Sequence, residues 1–137
     1  MKVIYVGGGP SALLSSIIYK KNHPNDEILI IEKNKILGKK LNATGNGRCN
    51  VSPIKDNFDA YNNPLFIKNT IKKISLEELI KTFNEIGIYL KRIGEYGYYP
   101  ISESAPNFTR LLISKINELG IKIILETKVL DYKYEDK

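Results

Sequence analysis

The sequence predicts an α/β fold that begins with a β-α-β unit, and three observations predict it. A short β-branched run at residues 2–6 leads into three consecutive glycines. Apolar residues at helical spacing follow, and a second apolar run at residues 27–32 ends in an acidic side chain. Strand, glycine loop, helix and strand together occupy residues 2–32, which is the length of a β-α-β unit.

Each part of this unit carries its own signal. Residues 2–6 (KVIYV) form a near-continuous apolar run, which is typical of a buried parallel strand. Between residues 11 and 19 the apolar side chains recur three and four positions apart, which predicts a helix. Turn-forming residues at 22–26 end that helix. Residues 27–32 (EILIIE) predict the second buried strand.

The middle of the chain divides into a long loop and a helix-hairpin segment. Residues 33–63 are rich in Gly, Asn and Lys and poor in periodicity, and a connection of this length is typical of either a functional or a disordered loop. Residues 64–104 contain a capping box that begins at Ser75 and opens a helix to about residue 86. A hairpin is predicted at residues 90–100.

The final segment, residues 105–135, predicts a helix that ends at Gly120 and two further strands. Residues 121–125 (IKIIL) predict a third buried strand, and residues 129–134 alternate as in a half-buried strand. Because this last strand needs a partner, we expect the chain to be the N-terminal part of a longer domain whose sheet is incomplete here.

Composition excludes several classes of protein. One cysteine among 137 residues excludes an intramolecular disulfide framework and a four-cysteine zinc site, and one histidine leaves little for a histidine-built metal site or a Ser-His-Asp triad. No apolar run reaches the roughly 18 residues of a membrane-spanning helix, and glycines interrupt the N-terminal apolar stretch that resembles a signal peptide. We therefore expect a cytoplasmic protein without a membrane partner. The net charge of +6 leaves RNA as a weakly supported partner, because the lysines are scattered.

The glycine loop fits the pattern of a dinucleotide-binding turn. In the pattern G-x-G-x-x-G/A, Gly7 permits the tight turn, Gly9 lets a pyrophosphate approach the backbone, and Ala12 lets the helix pack closely. Free N–H groups of the first helical turn would then face the phosphates. Glu32 follows Ala12 by 20 residues, where an acidic side chain accepts ribose hydroxyls and disfavours a 2′-phosphate.

A second motif, GKKLNATGNGRCN, occupies residues 38–50 of the predicted loop. It combines cations, flexible backbone and short hydrogen-bonding side chains. Lys40 and Arg48 are placed to neutralise phosphate charge, while the Thr and Asn side chains are placed to orient polar edges of a ligand. A solvated surface loop explains the same composition equally well, so both interpretations stay open at this point.

The motifs together carry a resemblance to a known family. The run GKKLNATGNGRCN, after GGGP and IIEK, resembles the flavoproteins of the HI0933-like type, also described as aminoacetone-oxidase-like NAD(P)/FAD-dependent oxidoreductases. Residues 97–105 (GYYPISESA) are similar to that family's G-R-x-F/Y-P-x-S-x-x-A. The resemblance spans the whole chain. It implies a Rossmann-like, glutathione-reductase-type FAD/NAD(P)-binding domain with a helical and hairpin insertion.

The resemblance also implies a cofactor and an activity. FAD is the implied cofactor, the intact protein is implied to be an oxidoreductase, and NAD(P)H is a candidate electron donor. The family's C-terminal FAD motif and inserted domain are missing from this sequence, so we expect the fragment alone to be inactive. The implied contacts are Gly7, Gly9, Pro10 and Ser11 with the pyrophosphate, Glu32 with the adenosine ribose, Lys33 and Lys40 near the adenosine and phosphates, Thr44, Gly45, Gly47, Arg48 and Cys49 toward the ribityl chain and ring, and the backbone of Val129 with adenine.

Departures from the family pattern limit what the resemblance implies. Ala12 replaces the third glycine, Ser52 and Pro53 replace a Thr-Asn pair, and Tyr98 replaces an Arg. Cys49 lacks the second cysteine that a flavin disulfide reductase needs, so a packing role is favoured over a redox role. The alternative interpretation is a non-catalytic, truncated nucleotide- or RNA-binding module. Neither a substrate nor a catalytic residue is predicted.

Overall fold

A computed structural model describes residues 1–54, 58–71 and 73–134 of the chain. The chain divides into two units, one made of residues 1–43 with the chain from residue 109 onward, the other of residues 44–108. The helices and strands in chain order are β1 (Lys2–Val6), α1 (Pro10–Asn22), β2 (Glu27–Ile31), α2 (Pro64–Ile71), α3 (Leu76–Glu85), β3 (Leu90–Ile93), β4 (Gly97–Pro100), α4 (Ala105–Glu118) and β5 (Lys122–Ile124). Two 3₁₀ helices, Leu41–Gly47 and Phe58–Ala60, lie between β2 and α2.

The first unit is built on a three-stranded parallel sheet with the order β1, β2, β5. Lys2 of β1 lies opposite Glu27 of β2, and Leu29 of β2 lies opposite Lys122 of β5. Each large apolar side chain that is fully buried in this unit contributes about 1.5–3 kcal/mol to the free energy of folding. Most of its buried apolar side chains come from α1, β2 and α4, and the buried set includes Leu13, Ile17, Ile28, Ile30, Leu37, Leu112 and Ile116.

Backbone hydrogen bonds extend this sheet past the ends of its strands. The Gly7 N–H donates to the carbonyl of Ile31 at 2.8 Å, and the Glu32 N–H donates to the carbonyl of Ile124 at 2.8 Å. Because the three strands are parallel, their carboxyl ends meet at one edge of the sheet. Ligands of open α/β folds bind at that edge.

Helix α1 begins directly after the glycine loop. Gly9 is its N-cap, with an extended backbone of φ −81° and ψ 175°. Because glycine has no side chain, no side-chain hydrogen bond caps the helix. Pro10 takes a first-turn position, where its missing N–H costs no helical bond. Lys20 and Lys21 lie in the last turn, where cations interact favourably with the negative end of the helix dipole. The helix runs to Asn22, the first residue of the turn cluster that was predicted to end it.

The second unit contains α2, α3 and the antiparallel hairpin of β3 and β4. The predicted capping box is present. The Ser75 hydroxyl accepts from the Glu78 N–H at 3.1 Å, and the Glu78 carboxylate accepts from the Ser75 N–H at 2.7 Å. An isolated β-bridge pairs Ser52 with Tyr98. The chain just after the second motif therefore lies beside the hairpin.

The β-α-β unit, the helix after Ser75 and the hairpin are confirmed. The predicted burial of β1 is wrong: Ile4 and Val6 are 50% and 68% exposed, because β1 is an edge strand of the described sheet. One predicted strand is also wrong. Residues 129–134 have no regular secondary structure. Leu130, Tyr132 and Tyr134 are 84%, 86% and 84% exposed, because none of the described strands pairs with this segment. An alternating pattern forms a strand only when a neighbouring strand accepts its hydrogen bonds.

Two smaller differences concern the ends of the remaining segments. The strand predicted at residues 121–125 is shorter and spans Lys122–Ile124. Helix α2 was not predicted, because its eight residues bury none of their side chains fully. Its start signal is nevertheless present, since Asn63 precedes Pro64 and the Asn63 side-chain oxygen accepts from the Phe66 N–H at 3.1 Å. Residue 135, the last of the predicted final segment, lies outside the described residues. Within the described ranges, no helix is both long enough and apolar enough to cross a membrane.

Candidate functional site

A cleft of about 780 Å³ lies at the carboxyl ends of the three parallel strands, entirely within the first unit. Its volume is in the range of small-molecule binding sites. Three chain segments contribute its walls: the glycine loop after β1, the chain after β2, and the chain after β5. Its lining includes Gly7, Gly8, Gly9, Glu32, Lys33, Asn34, Lys39, Lys40, Thr127, Lys128 and Val129.

The glycine loop has one closely packed glycine and one open glycine. Gly8 donates its N–H to Glu32 and accepts from the Gly38 N–H at 2.8 Å. A β-carbon added at Gly8 would clash with a methyl carbon of Leu37, so a side chain there would force Leu37 to move. A β-carbon added at Gly9 would meet no atom within 4 Å. The loop backbone is therefore packed against the protein at Gly8 and open at Gly9.

The N-terminus of α1 presents backbone donors beside this loop. The first backbone bond of the helix runs from the Leu13 N–H to the Gly9 carbonyl at 3.0 Å. The N–H groups of Ser11 and Ala12 precede that bond, as expected for the first turn of any helix. The helix dipole gives this end partial positive charge, so the turn that begins at Pro10 favours an anion.

Glu32 is the acidic side chain of the cleft, and it is only 7% exposed. Its Oε2 accepts from the Gly8 N–H at 2.6 Å, and its Oε1 accepts from the Asn34 N–H at 2.7 Å and from the Asn34 side-chain amide. The bond from Gly8, followed by the bond from the Asn34 N–H, lowers the pKa of this carboxyl below its ordinary value, and the nearby Lys33 charge adds to the effect. Glu32 is therefore a fixed negative charge at neutral pH.

Four lysines line the same cleft as this carboxylate. Lys33, Lys39, Lys40 and Lys128 are all exposed, and none of them takes part in an ion pair among the described residues. Four ammonium groups beside one carboxylate give the cleft a positive field. Such a field suits a ligand that carries phosphate groups.

The wall after β5 is held to the chain after β2 by backbone hydrogen bonds. The Thr127 N–H donates to the Glu32 carbonyl at 3.0 Å, and the Glu126 N–H donates to the Asn34 carbonyl at 3.2 Å. Glu126 has a positive φ of 52°, which turns the chain at this point. These contacts place Val129 in the lining of the same cleft as Glu32.

The structure brings together only part of the predicted site. Gly7, Gly9, Glu32, Lys33, Lys40 and Val129 line the cleft, while Pro10 and Ser11 form the first turn of α1. Thr44, Gly45 and Gly47 lie in the 3₁₀ helix Leu41–Gly47, and Arg48 and Cys49 follow it. These five residues belong to the second unit, so their predicted contacts with a ribityl chain and ring stay a prediction. The surroundings of Gly45 are outside what the structure describes.

Residues 44–50 of the second motif belong to the second unit and are held there by Cys49 and Arg48. Cys49 is 1% exposed, its N–H donates to the Thr44 carbonyl at 3.2 Å, and burial raises the pKa of its thiol. Arg48 forms an ion pair with Glu103 at 2.5 Å and lies 5.1 Å from the centroid of the Tyr99 ring. A buried thiol of raised pKa is a poor nucleophile, because the thiolate is the reactive form.

Sequence reasoning missed eight residues that line the cleft: Val6, Gly8, Ile31, Asn34, Lys39, Ala43, Thr127 and Lys128. Gly8 occupies a variable position of the glycine pattern, and its close packing against Leu37 depends on the folded loop. Asn34 and Lys39 lie in the predicted loop, but its composition does not distinguish them from their neighbours. Among the described residues, no group of three or more potential metal ligands is present.

Comparison with known proteins assigns the chain to a family. Residues 1–137 match the family described as HI0933-like protein Rossmann domain. The chain belongs to the HI0933-like family. This confirms the resemblance carried by the GKKLNATGNGRCN and GYYPISESA motifs, and the three-stranded parallel sheet with its glycine loop is the Rossmann-like fold of that family.

Two sequence relatives of this HI0933-like domain differ in length. It is 30% identical over 134 residues to the 3-dehydro-bile acid delta(4,6)-reductase of Clostridium scindens. That alignment covers 96% of this chain and 32% of the reductase. It is 28% identical over 99 residues to an uncharacterized protein in the nifH2 3′ region of Methanothermococcus thermolithotrophicus. That alignment covers 72% of this chain and 81% of the second protein. The chain therefore spans 32% of the length of the reductase.

A solved structure shares the fold of this HI0933-like domain. Thermovibrio ammonificans THI4 superposes with a TM-score of 0.57 and 18% sequence identity, covering 90% of this chain and 38% of that chain. The likeness confirms the predicted α/β fold class.

Proposed function

We propose that the cleft of the first unit holds the adenosine diphosphate half of FAD, and that the chain is the FAD-binding part of an oxidoreductase. The single observation that carries this proposal is the combination of an open glycine, a helix N-terminus and a buried carboxylate around one cleft. These three features lie at Gly9, Pro10 and Glu32. Each suits a different part of a dinucleotide.

The pyrophosphate is the part that the glycine loop suits. The space beside Gly9 lets a phosphate approach the backbone, and the N–H groups at the start of α1 offer hydrogen-bond donors to its oxygens. Lys33 and Lys40 supply compensating charge from the neighbouring wall. In this arrangement Gly7, Gly9, Pro10 and Ser11 are the pyrophosphate contacts that we propose.

The adenosine is the part that the other two walls suit. Glu32 is ionised, buried and placed after β2, which is where an acidic side chain accepts ribose hydroxyls. Val129 lines the same cleft, and we propose that its backbone groups contact adenine. When bound, FAD supplies the electron-transfer chemistry, while the residues of this chain bind and orient it.

The oxidoreductase class rests on family membership and on the similarity to a protein named as a reductase. The similarity supports a redox reaction for the whole protein. NAD(P)H is the electron donor that we propose for it. Binding a flavin and transferring electrons are separate functions, so the cofactor is tested first.

The absorption spectrum of the purified chain, before and after addition of FAD, tests this proposal. We expect flavin bands that stay with the protein through gel filtration, together with quenching of free-flavin fluorescence. A protein that ignores FAD and ADP but binds RNA in a salt-dependent way would contradict the proposal and favour a non-catalytic RNA-binding module.

A further inference from the structure

Asn34 lines the cleft two residues after Glu32, and both of its N–H-bearing groups donate to one carboxylate oxygen. Its backbone N–H donates to Glu32 Oε1 at 2.7 Å, and its side-chain amide donates to the same atom. The Asn34 carbonyl in turn accepts from the Glu126 N–H at 3.2 Å. Asn34 is therefore held between the acidic side chain and the opposite wall of the cleft.

These contacts fix the Glu32 carboxylate. An ionised carboxylate offers about four lone-pair sites. Gly8 takes one on Oε2, and Asn34 takes two on Oε1. Because Glu32 is 7% exposed, turning the carboxylate would leave these donors and the charge without partners. The lone-pair site that remains on the Glu32 carboxylate therefore points in one fixed direction.

We propose that Asn34 is a positioning residue that sets which adenosine nucleotides the cleft accepts. The inference rests on the proposed function, in which Glu32 binds the ribose. By holding Glu32 Oε1, Asn34 keeps the carboxylate in the orientation that accepts a 2′-hydroxyl and repels a 2′-phosphate.

The lysines of the cleft make this positioning decisive for specificity. Lys39, Lys40 and Lys128 attract any phosphate, including one on the 2′ oxygen. Glu32 is the one carboxylate among the described residues that line the cleft. Rejection of a 2′-phosphate therefore depends on that single group staying ionised and in place. The bonds from Gly8 and Asn34 hold the pKa of Glu32 below its ordinary value of 4.5, so it stays ionised in weak acid.

Calorimetric titration with ADP-ribose and with its 2′-phosphorylated form tests the proposal, because the two probes differ only at the 2′ position. The proteins compared are the wild type, Asn34→Ala, and Asn117→Ala, an exposed asparagine of α4 that serves as the matched control. Each titration is done at neutral pH and near the ordinary glutamate pKa of 4.5. Circular dichroism reports whether each variant is folded.

We expect the wild type and Asn117→Ala to prefer ADP-ribose by about tenfold or more, which is the effect of one hydrogen bond to a charged group. In Asn34→Ala the affinity for ADP-ribose falls by about tenfold, and the preference over the 2′-phosphorylated form narrows. Its affinity for ADP-ribose also declines at a higher pH than that of the wild type, because Glu32 becomes protonated earlier. A merely structural role would not move that pH profile.

Unchanged affinity, preference and pH profile in a folded Asn34→Ala would overturn the inference while leaving the proposed function in place. A wild type that binds neither probe nor FAD would overturn both. If Asn34→Ala does not fold, Asn34→Ser carries the same comparison, because its hydroxyl retains a donor near Glu32 Oε1. We then expect Asn34→Ser to prefer ADP-ribose over its 2′-phosphorylated form less strongly than the wild type does, without losing the preference completely. A wild-type pH profile together with a wild-type preference in this variant would overturn the inference.

Discussion

Arg48 and Glu103 are 55 positions apart in sequence and form an ion pair of 2.5 Å within the second unit. The pair joins the TGNGRCN segment to the GYYPISESA segment, the two motifs that indicate the family. Lys91 binds the other oxygen of the same carboxylate at 2.6 Å. The guanidinium of Arg48 also lies against the Tyr99 ring. The two motifs are therefore in direct contact, which gives a physical reason for their occurrence together.

Replacing the shared carboxylate is expected to loosen the second motif. In Glu103→Gln the two cations lose their common partner, and we expect the melting temperature to fall by a few degrees. The ion pairs are partly exposed, so high salt should shrink the difference between variant and wild type. Thermal melts of both proteins at low and high salt check this. A melting temperature that does not change at low salt would contradict it.

The backbone of Glu103 has a positive φ of 47°, a conformation that glycine adopts without strain. Glu103→Gly therefore serves as a control, because it relieves the backbone while removing the charge. If the ion pair matters more than the backbone, Glu103→Gly also melts below the wild type. A variant that melts above the wild type would show that backbone strain outweighs the ion pairs.

Alanine substitutions at two neighbouring glycines are expected to have different effects. Gly8→Ala places a β-carbon against Leu37, and we expect the free energy of unfolding to fall by about 1–3 kcal/mol, as in overpacked cores. Gly9→Ala meets open space and an extended backbone, so we expect a loss within about 1 kcal/mol. Gly9→Ala should nevertheless weaken FAD binding, because its methyl group occupies the approach to the backbone.

Urea unfolding and flavin titration of the two variants measure these effects separately. Gly9→Ala is the informative variant, since it is expected to lose affinity while keeping stability. Wild-type affinity in Gly9→Ala would show that the pyrophosphate does not approach this part of the loop.

The N-terminal ammonium is expected to contribute to stability through Asp26. The ammonium of Met1 donates to Asp26 Oδ1 at 2.6 Å, and the Tyr19 hydroxyl donates to Oδ2 at 2.9 Å. These two bonds, the ammonium first, lower the pKa of Asp26 below its ordinary value of 3.8. A carboxyl whose pKa is lowered by folding stabilises the protein above its unfolded pKa, and this contribution disappears as the pH falls through the folded pKa.

Asp26→Asn should therefore unfold at lower urea concentration than the wild type at neutral pH. The two midpoints should converge in strong acid, where the wild-type carboxylate is protonated. An N-terminal tag fused directly to Met1 removes the ammonium and should mimic the variant. Equal midpoints at neutral pH would show that this contact adds nothing measurable.

Cys49 is expected to be unreactive in the folded chain. Its thiol is buried and its pKa is raised by that burial. Alkylation at neutral pH should therefore be at least about tenfold slower in the native protein than in denaturant. Mass spectrometry of iodoacetamide-treated samples over time gives both rates. Equal rates would identify an accessible thiolate and reopen a redox role for this residue.

The parts of the fold that the sequence predicted correctly are set by local signals. The β-α-β unit follows from apolar runs, a glycine loop and a turn cluster within residues 2–32. Helix α3 follows from the capping box at Ser75 and Glu78, whose two hydrogen bonds form within one helical turn. Such signals need only the residues close in sequence, so they can be recognised before the tertiary structure is known.

The features that the sequence did not predict depend on distant partners. The strand expected at residues 129–134 had the right alternation, but none of the described strands lies beside it. Asn34 binds Glu32 two residues before it, but its contact with the wall after β5 depends on the distant Glu126, whose N–H donates to the Asn34 carbonyl. Gly8 is closely packed because Leu37 folds back on it. None of these contacts leaves a periodic pattern in the sequence.

The central claim is that the cleft beside the glycine loop binds the adenosine half of FAD. Amide NMR spectra of the ¹⁵N-labelled chain, recorded while FAD or ADP is added, test it most directly. We expect the largest shifts at Gly8, Gly9, Ser11, Asn34 and Val129, with both ligands moving the same amides and Glu32→Gln weakening the response. Shifts confined to other parts of the chain, or no shifts with either ligand, would contradict the account.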